Sequence, residues 1–279
     1  MNAKTPILTL SLLSAGISIS LGASISINFT GISNDANLVN NDESSTVGIT
    51  DGETHAGNLW NNVAVKSGGA AGPANTWLTT TQGGSHVDVN DSTGADSGVD
   101  ITSSGTFYSN QANVSGAGKT LTGDGALMHQ GLNIASTETV TLTGLAAWAP
   151  NGYRVIGYMD IGNANRTFGI NMTDGGTSQT FWTDSDAGTD SDSDDDGVIT
   201  WLESTATTSG TAVTNANYAV WGTFTGDTLT ISGTDPTSRS LMNGMQIIAV
   251  PEPSSTALLG LGGLALILRR RKDIGIKQY

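Results

Sequence analysis

Residues 139–145 read TVTLTGL, and the alternation in that stretch decides what the chain can fold into. Val140 and Leu142 stand two apart, so in an extended chain both side chains leave on the same face, whereas a helix would scatter them. The same period recurs in YRVIGYM (153–159) and in LTISG (229–233). Working outward, short β-rich runs follow one another from SISINF (24–29) through NLWNNVAV (58–65), VDITSSGTFYS (99–109), RTFGINMTDG (166–175), SQTFWT (178–183) and NYAVWGTF (217–224) to MQIIAV (245–250). Asp-Gly, Gly-Gly, Asn-Gly and Thr-Gly-Asp turn signals separate them at short intervals. No amphipathic run of about ten residues or more argues for a helix. The reading is all-β, an antiparallel β-sandwich of jelly-roll type, built as one domain over residues 24–250.

Composition supports that class. Of 279 residues 37 are Gly and none is Cys, and only 13% are charged. Hydrophobic residues make up 37%, with six Trp and five Tyr, which supplies a core and argues against disorder. The chain is large enough to dispense with disulfide staples. Its formal net charge is −14. Between Ser24 and Val250 there are 5 basic and 23 acidic residues, a net of −18 for the body. Such a surface repels nucleic-acid phosphates and anionic membranes, so nucleic acid is excluded as a partner.

Both ends read as addresses. At the N-terminus one Lys precedes an apolar stretch from Ile7 to Leu21 with small residues after it, the layout of a signal peptide over residues 1–23 that the secretion translocon would take. At the C-terminus VPEPSSTALLGLGGLALILRRRK (250–272) joins a Pro-Glu-Pro triplet, an apolar run and a basic cluster. As a helix, Ser254 to Leu268 would be ~22 Å long, short of the ~30 Å hydrocarbon core, with Arg269, Arg270, Arg271 and Lys272 free to snorkel on the cytoplasmic side. Three consecutive arginines closing a run with no polar face do not suit a core helix.

This tail closely resembles the PEP-CTERM sorting signal of exported bacterial proteins, with Pro251, Glu252 and Pro253 as the sorting motif and Arg269 to Lys272 as the basic stop cluster. The resemblance covers residues 251–279, about a tenth of the chain. It implies processing by an exosortase-type membrane enzyme in a Gram-negative bacterium that makes extracellular polysaccharide. The localisation it implies is an intermediate held in the inner membrane by the C-terminal segment, then the cell surface or extracellular matrix. More loosely, the order INF, AGNLWNN, VTLTGL, GYRVIGYMD, NYAVWGTFTGDTLTISG, NGMQIIAV resembles the jelly-roll bodies of other such proteins.

Within the body the sharpest motif is DSDDDGVITWLE, residues 192–203. It fits the Ca²⁺ loop D-x-D-x-D-G-x5-E, with Asp192, Asp194 and Asp196 at alternate positions, the Val198 carbonyl as backbone ligand and Glu203 closing the loop. Alternate oxygens converge when the chain curls, and Gly197 permits the turn. Strand and turn formers flank it where a helix–loop–helix hand needs helices, so a solvated acidic loop is the competing reading. Ca²⁺ is the one candidate cofactor.

Catalytic signatures are absent from the sequence. His55, His86 and His129 show no paired spacing, and there is no H-E-x-x-H, G-x-S-x-G, P-loop or thiol. The chain therefore reads as a non-enzyme. Of the six tryptophans, Trp182 and Trp201 bracket the acidic loop and are the candidates for ligand contact, while the others read as core. Three functions compete. A structural or adhesive surface protein comes first, then a carbohydrate-binding module that contacts extracellular polysaccharide, then a secreted hydrolase.

Overall fold

The computed structural model describes residues 23–30, 60–66, 76–79, 87–104, 108–111, 123–160, 166–185, 199–234 and 240–252. Residues 21–251 group into one compact unit. Two large sheets face each other. The first has six strands in the order β13 (Tyr218–Phe224), β9 (Tyr153–Tyr158), β16 (Gly244–Ala249), β1 (Ser24–Thr30), β2 (Trp60–Lys66) and β3 (Thr76–Thr79). The second has seven, in the order β12 (Val213–Thr214), β11 (Ser178–Ser185), β10 (Arg166–Thr173), β14 (Leu229–Gly233), β8 (Thr139–Thr143), β5 (Asp96–Ser104) and β4 (Val87–Asn90). A three-stranded sheet, β15 (Ser240–Met242), β7 (Gln130–Ile134) and β6 (Tyr108–Gln111), contributes Leu132, Ile134, Leu241 and Met242 to the same core.

The opening stretch becomes β8, and its burial alternates as its sequence does, with Val140 and Leu142 fully inside. They share one cluster with Ile25, Ile27 and Phe29 of β1, Phe168 and Ile170 of β10, and Trp221 of β13. Residues of both large sheets thus fill the ~10 Å layer between them. Gly144 follows β8 at φ 89°, and a Cβ there would sit 2.4 Å from the Gly98 carbonyl, so the turn out of the strand admits only glycine.

The all-β sandwich stands, but the pairing is mixed where the sequence reading expects antiparallel strands throughout. β1 runs parallel to β2, β2 to β3, and β11 to β12. Residues 31–59 separate β1 from β2, and a connection that long can return the chain in the same direction, which a hairpin cannot. Helices among the described residues are short, α1 at Gly123–His129 and α2 at Leu145–Trp148. None is long and apolar enough to cross a membrane, and the apolar run 254–268 lies outside the described residues.

Candidate functional site

The C-terminal junction comes first, because it fixes how the tail leaves the body. β16 lies between β9 and β1, antiparallel to both, and all six of its residues are buried. Pairing persists past the strand end. The Ala249 amide donates to the Ala23 carbonyl at 2.9 Å and the Val250 amide to Gly152 at 2.8 Å. Pro251, which has no amide hydrogen to donate, and Glu252 follow immediately, both exposed. Pro253 and the basic cluster Arg269 to Lys272 lie outside the described residues. A central strand therefore delivers Pro251 and Glu252 to the surface with no linker.

The two tryptophans singled out from the sequence are both half-buried, yet they do not form one surface. Trp201 joins a second cluster on the outer face of the six-stranded sheet, with Ile156, Tyr158, Ile199 and Trp60. Its ring centroid is 5.2 Å from that of Tyr158 and 6.3 Å from that of Tyr218, while Trp60 lies 6.3 Å from Tyr158 on the other side. Polar groups run through this layer. Tyr158 Oη donates to Gln246 Oε1 at 2.5 Å, and Asn28 Nδ2 donates to Asn62 Oδ1 at 2.8 Å. Trp60, Tyr158, Asn28 and Gln246 are all at most 4% exposed and pack as interior, while Trp201 and Tyr218 at the margin of the row are half-buried.

Trp182 belongs instead to the outer face of the seven-stranded sheet. Its register partner is Gly169, and a Cβ on Gly169 would come within 2.8 Å of Trp182 Cδ2. The glycine leaves the room that the indole occupies. Segment 199–206 spans from one sheet to the other beside it. The Ala206 carbonyl accepts the Trp182 amide, and the Ser204 amide donates to Tyr218 of the opposite sheet.

Of the Ca²⁺-loop residues only Glu203 is described. It is exposed, and its backbone forms an isolated parallel bridge with Tyr218. Asp192, Asp194, Asp196 and Val198 lie outside the described residues. No group of three or more His, Asp or Glu that could hold a metal occurs among the described residues.

Sequence reading missed the outer face of the seven-stranded sheet. Because Val140, Leu142, Ile170, Met172 and Ile231 point inward, the residues between them point out, and nearly all are Thr, Ser or Asn. Thr102, Thr141, Thr230, Thr173 and Ser178 are register partners in a single line across five neighbouring strands. The signal was present in the opening stretch itself, whose positions 139, 141 and 143 are all threonine.

An acidic β-sandwich whose innermost strand runs straight into an exposed Pro-Glu pair is a body with a sorting tail. The comparisons give that tail its family, since residues 249–272 match the family model described as the PEP-CTERM protein-sorting motif. The chain thus carries a PEP-CTERM sorting signal, which indicates export, a membrane-anchored sorting intermediate and processing by an exosortase-type enzyme. No curated protein matches the chain. Among solved structures it is similar to an exo-β-1,3-galactanase from Phanerochaete chrysosporium crystallised with galactose, at 13% identity and a TM-score of 0.27. The match covers 53% of this chain and 32% of the galactanase, so the chain spans about a third of that protein's length.

Proposed function

We infer that the protein is a non-enzymatic structural or adhesive component of the cell surface or extracellular matrix, delivered there as a folded sandwich by its tail. The observation that carries this reading is the junction. β16 is a fully buried inner strand, and the matched sorting motif begins at its last residue, Ala249. Cleavage or transfer at the triplet then leaves the mature chain ending on the sandwich itself, so the folded body is what is delivered. A body with 5 basic and 23 acidic residues stays soluble and self-repelling in an extracellular setting. The sequence, with no nucleophile elbow, zincin motif or thiol, supports a role made by surfaces rather than by bond-breaking.

The experiment follows mature mass and destination of the chain with and without Pro251-Glu252-Pro253. The triplet-deleted chain is expected to remain in the membrane fraction at its unprocessed size, and matrix retention or cell–cell adhesion is expected to fall both there and in cells lacking the protein. Unchanged mature size and destination would sink the sorting part of the reading. Unchanged adhesion and matrix content in cells lacking the protein would sink the structural part.

A further inference from the structure

We propose that the outer face of the seven-stranded sheet is a docking surface for a neutral polysaccharide chain, which lies across the strands along the threonine row. This deepens the surface-protein reading by naming its partner. It rests on that reading only for the place of action, since binding is measured on purified protein whatever becomes of sorting.

The row runs Ser178, Thr173, Thr230, Thr141, Thr102, one residue per strand from β11 to β5. Neighbouring strands are ~4.8 Å apart, so the line is about 19 Å long and repeats at roughly the length of one pyranose unit. A second row beside it contains Thr180, Asn171 and Ser232. At the β11 side the polar groups satisfy each other, with Ser178 Oγ and Thr180 Oγ1 donating to Asn171 Oδ1 at 2.9 and 3.0 Å. In the middle they do not. The hydroxyls of Thr141, Thr230 and Ser232 make no hydrogen bond to another described residue. Each hydroxyl can both donate and accept, which matches a ligand whose own surface is hydroxyl groups.

Charge narrows the partner further. The face carries no Lys or Arg among the described residues, and Asp100 and Asp184 are among its carboxylates, on β5 and β11 at the two ends of the row. A polyanion would meet repulsion from these and from the acidic body, and nothing on the face would pair with it. An uncharged polyol meets neither penalty. Trp182 lies half-buried over Gly169 on this same face and offers an indole against which a sugar ring stacks through its C–H side.

The test is native affinity electrophoresis of the full-length chain, kept soluble in mild detergent, through gels holding β-glucan, galactan, mannan or xylan, with polygalacturonate as the anionic counterpart. At least one neutral polymer is expected to retard the protein and polygalacturonate is not. The Thr141→Val/Thr230→Val variant removes two hydroxyls while keeping β-branched shape, and should weaken retardation about tenfold with an unchanged melting temperature. Trp182→Ala should weaken it as well, and Thr223→Val on the exposed part of β13 should not. No retardation by any neutral polymer, undiminished binding by the double variant, or equal retardation by polygalacturonate overturns the proposal. So does a dimer in light scattering that Thr141→Arg dissociates, since that would give the face to a second copy of the chain.

Discussion

Asp174 and Gly226 stand 52 residues apart in the chain, and Asp174 Oδ2 accepts the Gly226 amide at 3.0 Å. The same oxygen takes the Thr225 amide at 3.0 Å, while Oδ1 takes Gly176 at 3.0 Å and Thr177 at 2.6 Å. One carboxylate in the β10–β11 turn thereby holds the connection by which the chain leaves β13 in one sheet for β14 in the other. Tyr153 Oη donates to the Gly226 carbonyl at 3.1 Å from beneath, and burial, with Asp174 and Asp227 nearby, pushes that phenol far above its ordinary range.

Partial burial alone would raise the Asp174 pKa. The four backbone donors, from Thr177, Thr225, Gly226 and Gly176, outweigh it and bring the pKa from 3.8 to about 2. A value depressed in the folded state means the bonds stabilise fully above about pH 4 and are lost as pH falls from there toward 2. Asp174→Asn keeps one acceptor oxygen of two. Because the group is partly solvated, the expected cost at pH 7 is about 1 kcal/mol, or ~2–4 °C in melting temperature. Melts of both proteins between pH 6 and 2 should converge at the acid end, and a gap that stays constant with pH would refute the assignment.

Trp221 and Trp201 should separate by energy. Trp221 is fully buried, donates its indole N–H to the Gln179 carbonyl at 3.1 Å and meets the Phe181 ring edge-on at 5.1 Å. Trp221→Ala is expected to cost ~3–5 kcal/mol in urea denaturation. Trp201 is half-exposed, but its contacts with Tyr158 and Tyr218 are packing contacts, so Trp201→Ala should cost roughly 1–2 kcal/mol. A Trp201→Ala protein of unchanged stability that had lost glycan binding would return this residue to the ligand-contact role.

How far these features are legible before folding depends on their range. Val140 and Leu142 announce their strand because the period-two pattern is local and one face is buried. The parallel pairing of β1 with β2 is not legible, since it depends on where residues 31–59 carry the chain and not on either strand's own pattern. Trp182 and Trp201 are 19 positions apart and bracket one loop, which marks both as candidates for ligand contact. In fact Trp182 sits opposite Gly169 and Trp201 beside Tyr158, because the 199–206 segment crosses from the six-stranded sheet at Trp201 to β11 at Ala206. The threonine row was written in the sequence but hidden by habit, because alternation is read for its apolar face. Only the register of five strands shows that the polar positions align.

Gly169 offers a direct check on how Trp182 is seated. Gly169→Ala places a methyl 2.8 Å from both Trp182 Cδ2 and Thr234 Oγ1. Either the indole lifts or the strand shifts, at an expected cost of ~1–3 kcal/mol. Trp182 emission should move to the red as the ring is exposed, whereas a Trp182→Phe background should show no such change.

The acidic loop is decided by Ca²⁺ itself. With Asp192, Asp194, Asp196, the Val198 carbonyl and Glu203 as ligands, saturation at 100 times the dissociation constant stabilises the fold by about 2.7 kcal/mol. The melting temperature should rise on addition of CaCl₂, and Asp194→Ala should abolish the rise. No shift in the unaltered protein would leave residues 192–203 as solvated acidic surface.

The junction at Val250 makes the last prediction the most local. The amides of Ala249 and Val250 donate to Ala23 and Gly152 and prolong an inner strand, so their exchange should require opening of the sheet. Glu252, two residues on, is exposed and should exchange at the free-chain rate. Hydrogen exchange read by NMR on the full chain in detergent is expected to show that step within three residues. A processing enzyme that needs an extended substrate would then find it beginning at Pro251 and no earlier. Inserting four Gly/Ser residues between Val250 and Pro251 should therefore leave the melting temperature unchanged and leave cleavage intact or faster. Slower cleavage of that variant would mean that the enzyme reads the sandwich edge together with the triplet, and the idea of a freely presented signal would fall.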